Sequence, residues 1–315
     1  MIYNFKNFLK VENSICPFCL ERYLSNINFK DINESINSNF SSLQISIPLK
    51  GCINSCKSCI AKISGDNNIS YKDHSNEENF DYKYFDSLKK VKKTGCKNII
   101  LTSDKGEPLQ NKKFIEKIGD FNRRLDNWFN IEIQTTGVLL YDNISFLKNN
   151  GINVISLSIF DIFDDENNFD IITIKNKLKF NLKDLCLEIK KNNITLRLSI
   201  NLIKSYDDHT INELFQKIKE LSPDQVTFKN LWHTEDENPI NKWIKTNKAS
   251  SNILNRISEY IRNKGGNKIS DFKYIFDGRS IWMVDNCMLG NYIILRPDAK
   301  LYRSWDSPNP LDINI

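Results

Sequence analysis

The stretch Leu43-Gln-Ile-Ser-Ile-Pro48-Leu-Lys-Gly51-Cys52-Ile-Asn-Ser-Cys56-Lys-Ser-Cys59 joins a β-branched run to three closely spaced cysteines. The run at residues 43–48 alternates apolar with polar side chains and reads as a strand. Directly after it, one loop carries three thiols. Three thiolates this close can bind three corners of a cubane iron-sulfur cluster and leave the fourth iron open to a small molecule. The spacing also admits a zinc site or unrelated buried cysteines, although structural zinc takes four ligands and no fourth Cys or His stands nearby.

Outward from this loop, short β-branched segments alternate with amphipathic ones, the sequence form of βα units around a parallel sheet. Strands are expected at residues 43–48, 98–102, 131–135, 154–159, 195–203 and 225–228. Phe114, Ile115, Ile118, Phe121 and Leu125 share one helical face, as do Ile211, Leu214, Phe215, Ile218 and Leu221. Thr210 and Glu213 stand at capping-box spacing ahead of the second of these. A further helix with Ile253, Leu254, Ile257 and Ile261 on one side stops at Gly265-Gly266. Beyond it, residues 273–276, 281–284, 292–295 and 300–303 read as short strands, with turn signals at Asp277-Gly278 and Pro297-Asp298.

With its strand, its Cys52-x3-Cys56-x2-Cys59 loop and its βα pattern, the chain resembles the radical S-adenosylmethionine (radical SAM) superfamily over about residues 43–231. The resemblance implies an α/β fold: a partial (β/α)6, TIM-like barrel with the cysteine loop after the first strand. It also implies a 4Fe-4S cluster on Cys52, Cys56 and Cys59, whose open iron binds S-adenosylmethionine. Reductive cleavage of that cofactor to methionine and a 5′-deoxyadenosyl radical would follow, with electrons from a flavodoxin- or ferredoxin-type donor. Ser58 departs from the pattern, because relatives usually carry a bulky or aromatic residue before the third cysteine.

Further motifs fall at strand ends, where barrel folds place chemistry. Gly106-Glu107-Pro108 is similar to the family's Gly-Glu-Pro element, which receives the cofactor's ammonium group; by itself the tripeptide is also an ordinary turn. Gln134-Thr135-Thr136-Gly137 looks like the family's Thr-x-Gly ending, with Thr135 as a candidate cofactor contact, or is simply a strand stopped by glycine. Ser156 and Ser158 share one strand face, and Arg197, Ser199 and Asn201 another. Polar residues at period two in apolar strands point to a wet barrel interior, so Ser158, Ser199 and Asn201 are candidates for the cofactor's polar groups. Ser199 stands where relatives often have Asn.

Cys96 and Cys186 occupy apolar settings and read as core residues. Cys16-Pro-Phe-Cys19 has the spacing of a metal knuckle, and Cys287 opens a segment faintly similar to the auxiliary-cluster extension of peptide-modifying members. These three form a candidate second site for an iron-sulfur cluster or zinc; the alternative is an inert turn and a buried thiol. The organisation expected is an N-terminal extension at 1–42, the barrel at 43–235, and at 236–315 a helix with a small β appendage covering the substrate site.

Composition bounds the rest. The 315 residues, 40% hydrophobic, suffice for one large core, and the formal charge of +5 permits an anionic ligand without demanding nucleic acid. Eight cysteines without a signal-peptide pattern favour metal ligation over disulfides and a cytoplasmic protein, and no apolar run has the length of a membrane span. Arg279, Trp282, Arg296, Tyr302, Arg303 and Trp305, with Lys229, Trp232 and His233, could close over a substrate or serve as ordinary strand packing. Two functions stand: a radical SAM enzyme acting on a peptide or a nucleotide-like small molecule, or a non-catalytic iron-sulfur or zinc redox module that keeps the barrel.

Overall fold

Period-two β segments and period-3.6 helical ones settle into one twisted sheet with helices on one face. The computed structural model describes residues 40–59, 62, 82–103, 106–174, 178–285, 292–305 and 307–311. Cys16, Cys19 and Cys287, and with them the candidate second metal site, lie outside the described residues.

The elements run β1 (Ser42–Ser46), α1 (Lys83–Lys93), β2 (Asn98–Thr102), α2 (Lys112–Arg124), β3 (Asn130–Thr135), α3 (Ile144–Asn149) and β4 (Ile152–Ile159). They continue through α4 (Asp165–Ile172), α5 (Leu182–Lys191), β5 (Thr195–Leu202), α6 (Ile211–Leu221), β6 (Gln225–Asn230), α7 (Pro239–Asn247) and α8 (Ile253–Asn263). The last strands are β7 (Asn267–Ser270), β8 (Lys273–Phe276), β9 (Arg279–Val284), β10 (Tyr292–Leu295) and β11 (Leu301–Tyr302).

Sheet order is β11-β10-β1-β2-β3-β4-β5-β6-β9-β8-β7, so the six barrel strands lie side by side in chain order. Every pairing among them is parallel. The C-terminal strands are woven into the same sheet: β10 lies parallel on the outer edge of β1, and β9 parallel on β6. The sheet does not close on itself. It curls nonetheless, since Arg197 on β5 reaches Glu132 on β3 at 2.6 Å across the intervening β4.

Alternation sorts the two faces. Leu43, Ile45, Ile99, Leu101, Ile133, Leu157, Leu198 and Phe228 are buried against the helices in one continuous core. Each such side chain contributes about 1.5–3 kcal/mol by leaving water. The residues between them, among them Gln44, Glu132, Ser156, Ser158, Arg197, Ser199 and Asn201, take the opposite, concave face. Cys96 and Cys186 are buried free thiols in the core.

Local signals act as their chemistry predicts. Thr210 accepts the Glu213 backbone N–H at 3.2 Å, and the Glu213 carboxylate accepts back from the Thr210 N–H at 2.7 Å. Gly265, at φ +84°, ends α8, and the next N–H returns to Ile261 O at 2.8 Å. Asp277 and Gly278, at φ 50° and 73°, form the two-residue turn between β8 and β9. Strand β7 falls outside the expected set, because all four of its residues are exposed and it lacks the apolar alternation that marks a strand.

Candidate functional site

All parallel strands end on the same side, which brings the loops after β1, β2 and β3 together. The cysteine loop is held from two directions. Ser55 and Lys57 donate their backbone N–H groups to Ile172 O and Ile171 O, the last carbonyls of α4, at 3.3 and 2.9 Å. Lys57 adds a 2.6 Å ion pair to Asp170. From the other side, Gln110 donates Nε2 to Gly51 O at 3.1 Å and accepts at Oε1 from Ile53 N–H at 2.9 Å and Glu107 N–H at 3.1 Å. One side chain therefore ties the cysteine loop to the Gly-Glu-Pro turn.

That turn has little freedom. A Cβ on Gly106 would run into Leu49 Cδ1 and come within 3.1 Å of Gly51 O, the carbonyl just before Cys52. Pro108 is buried and starts the short 3-10 helix Pro108–Gln110. Between them, Glu107 is buried. Its Oε2 accepts from the Thr136 N–H at 3.0 Å and from the Thr136 hydroxyl at 2.9 Å. The same hydroxyl accepts from Asn54 Nδ2 at 2.9 Å, so a relay of three side chains links the cysteine loop, β3 and Glu107. The other oxygen, Glu107 Oε1, has no hydrogen-bond partner among the described residues. Burial pushes the Glu107 carboxyl up, with the hydrogen bonds from Thr136 acting the other way. A carboxylate buried in this way lacks a counter-charge at one oxygen, and a ligand ammonium fits that lack.

The three thiols form one electrostatic unit. Burial pushes Cys56 up to about 12, and the charges of Cys59 and Cys52 add to the rise. Cys52 is likewise pushed up by burial, with Glu107 and Cys59 contributing. Cys52 and Cys56 resist ionisation chiefly through burial, and a bound iron cation would offset that cost. Among the described residues no three Cys, His, Asp or Glu side chains surround a single ion-sized point. In a cubane each thiolate meets a different iron, so the donor set fits three corners of such a cluster.

The remaining candidates divide. Ser158 and Ser199 are neighbours in register on the inner face, and the buried Ser199 Oγ has no partner among the described residues. Asn201 donates Nδ2 to Ile159 O at 3.2 Å, which braces two strand ends. Thr135 lies on the helix-side parity of β3, and its hydroxyl accepts from the Gly137 N–H at 3.0 Å. Thr136, one residue on, makes the contact to Glu107. Arg296 is buried, and its guanidinium donates to the carbonyls of Ser307, Ser304 and Trp305 at 2.9, 2.8 and 2.5 Å. It pins the C-terminal loop rather than facing a ligand. His209 stacks on Phe163 with 3.8 Å between ring centroids.

Sequence reasoning names neither Gln110 nor Asn54. A signal for Gln110 exists, since Glu107-Pro-Leu-Gln110 has capping-box spacing and Gln110 Oε1 accepts the Glu107 N–H as that box requires. None exists for Asn54, whose partner lies 82 residues away.

Solved structures share this architecture. Native anSMEcpe with bound AdoMet aligns over 85% of this chain and 75% of its own, with a TM-score of 0.54 and 14% identity. Native anSMEcpe with bound AdoMet and Kp18Cys peptide aligns over the same 85% and 75%, with a TM-score of 0.57 and 15% identity. Coproporphyrinogen III oxidase (HemN) from Escherichia coli, described as a radical SAM enzyme, aligns over 84% of this chain and 64% of its own, at TM-score 0.50 and 14% identity. No protein-family model matches the chain, and no curated protein matches it significantly. The chain has the radical SAM fold: a parallel, open, TIM-like half-barrel with its cysteine loop behind the first strand. No helix among the described residues is long and apolar enough to cross a membrane.

Proposed function

We propose that the chain is a radical SAM enzyme, with Cys52, Cys56 and Cys59 holding a 4Fe-4S cluster and the Glu107 turn receiving S-adenosylmethionine. The observation that carries this reading is the bare, buried Glu107 Oε1 beside a loop that carries three free thiols. When bound, cluster and cofactor together supply a 5′-deoxyadenosyl radical that abstracts hydrogen from a substrate carbon.

The chain's own residues have definable tasks. Gln110 and the α4 carbonyls fix the cysteine loop so that the thiols are placed before the metal arrives. Glu107 offers Oε1 to the cofactor's ammonium while Thr136 occupies Oε2, which restricts the carboxylate to one orientation. Ser158, Ser199 and Asn201 line the concave face, where they would contact the cofactor's other polar groups. The absence of a side chain at Gly106 lets the turn lie against Leu49 and the Gly51 carbonyl. Electrons would come from an external flavodoxin- or ferredoxin-type donor, and the substrate is a peptide or a nucleotide-like small molecule.

Anaerobic reconstitution followed by reduction and electron paramagnetic resonance tests the assignment. Wild type should take up about four irons per chain and show a reduced-cluster signal that changes on adding S-adenosylmethionine. Cys56→Ala should lose the signal, and Glu107→Gln should keep it but weaken its response to the cofactor. A full cluster in Cys56→Ala, or a wild-type signal indifferent to S-adenosylmethionine, would favour the non-catalytic redox module.

A further inference from the structure

Away from the cysteine loop, the concave face carries a second polar group. Arg197 on β5 donates Nη1 to Glu132 Oε2 at 2.6 Å and Nε to Gln225 Oε1 at 2.8 Å, and its guanidinium lies 5.0 Å from the Trp282 ring centroid. Glu132 is buried and its Oε1 has no partner among the described residues. Two positions along β6 from Thr227, level with Asn201 and Val284, stands Lys229. Its side chain is half-buried and has no hydrogen-bond or ion-pair partner among the described residues. Ser199, Thr227 and Trp282 form the adjacent row across β5, β6 and β9, and the Ser199 hydroxyl is bare as well.

Charge does not balance in this hollow. Arg197, Lys229 and, beside the Trp282 ring, Lys273 are three cations against the single carboxylate of Glu132, and Arg197 already holds that carboxylate. Burial holds the Lys229 ammonium below the ordinary lysine range; the pull of Glu132 opposes this and the repulsion of Arg197 adds to it. An uncompensated interior charge costs stability, and an apolar residue of similar length would serve packing better. A cation kept in such a place, with the bare Ser199 hydroxyl beside it, has the character of a ligand site whose ligand supplies the missing negative charge.

We propose that the hollow between β5, β6 and β9 binds an anionic oxygen group, a carboxylate or a phosphate, of the enzyme's substrate, with Lys229 as the contacting cation. Arg197, fixed by Glu132 and Gln225, forms the wall behind it, and Ser199 and Thr227 offer hydroxyls. The word substrate rests on the radical SAM reading; the anion site itself does not. Its selectivity would be for ligands that carry the charge at one end and present carbon towards the Glu107 side of the lumen.

Calorimetric titration of the anaerobically reconstituted protein with inorganic phosphate and, separately, with succinate at low salt tests this without turnover. Saturable binding of one probe is expected, weakened at least tenfold in Lys229→Met and retained within about threefold in Lys229→Arg. Tighter phosphate assigns a phosphorylated substrate, and tighter succinate a carboxylate. No saturable binding of either probe to wild type, or binding unchanged in Lys229→Met, overturns the proposal. Lys229→Met should also melt at a higher temperature than wild type, as expected when an unpaired interior charge is removed; a lower melting point or failure to fold makes the lysine structural and overturns it too. A failed titration leaves cofactor cleavage standing, and absent cleavage leaves the titration readable.

Discussion

Single side chains carry the site's precision. At Gly106 an added methyl must displace Leu49 or the Gly51 carbonyl, and the latter moves Cys52. Gly106→Ala is expected to cost about 1–3 kcal/mol in urea unfolding and to lower iron uptake on reconstitution; a variant that matches wild type in both would show that the turn tolerates bulk. Cys186 differs in kind from the thiols of the cysteine loop. Burial pushes it up to about 12 from an ordinary 9.0. Between those values the folded state holds the proton and the unfolded chain releases it, so this contribution is intact below pH 9 and is lost as pH rises towards 12. The stability advantage of wild type over Cys186→Ala should shrink by up to about 2 kcal/mol between pH 8 and 10.5. Buried and held protonated at pH 8, Cys186 should stay unmodified by iodoacetamide in the folded protein. At this scale the sequence shows the cysteines and Glu107 because their spacing is local. Asn54 and Thr136, which reach Glu107 through contacts between separate loops, follow from no spacing in the sequence.

Elements place those side chains. Helix α4 is capped by Asp164, which accepts from Glu166 N–H at 2.8 Å and Asn167 N–H at 3.2 Å, and its far end holds the cysteine loop through Ile171 O and Ile172 O. Asp164→Ala should cost about 1 kcal/mol in unfolding and reduce iron bound per chain, because the loop loses a fixed anchor; unchanged iron content would place the anchoring with Gln110 alone. The strands of the barrel are legible in sequence to within a residue or two, since each buries a β-branched run on the helix side. Capping boxes and glycine stops locate α6 and α8 for the same local reason. Pairing partners are not local: nothing in residues 279–295 says that β9 will lie on β6 and β10 on β1.

For the whole molecule that pairing has consequences. The C-terminal strands cover both edges of the six-stranded parallel core, and antiparallel pairing then extends the sheet to β11 on one side and through β8 to β7 on the other. A chain ending at residue 264 would lose β7 to β11 and bare β1 and β6, which invites edge-to-edge association. It should elute from size-exclusion chromatography as aggregate; a folded monomer would show that the barrel strands stand alone. The same wrapping fixes the lumen, since Trp305 donates Nε1 to Gln44 Oε1 at 3.1 Å on the inner face and Trp282 walls the opposite side. Cysteine loop and Glu107 turn stand at the strand ends and the charged group on the inner face of the same sheet, each contributed by a different stretch of chain. Release of 5′-deoxyadenosine from S-adenosylmethionine by anaerobically reconstituted, dithionite-reduced protein tests this account most directly. Wild type should release it and Cys56→Ala should not, whereas a fully iron-loaded wild type that releases none would contradict the assignment.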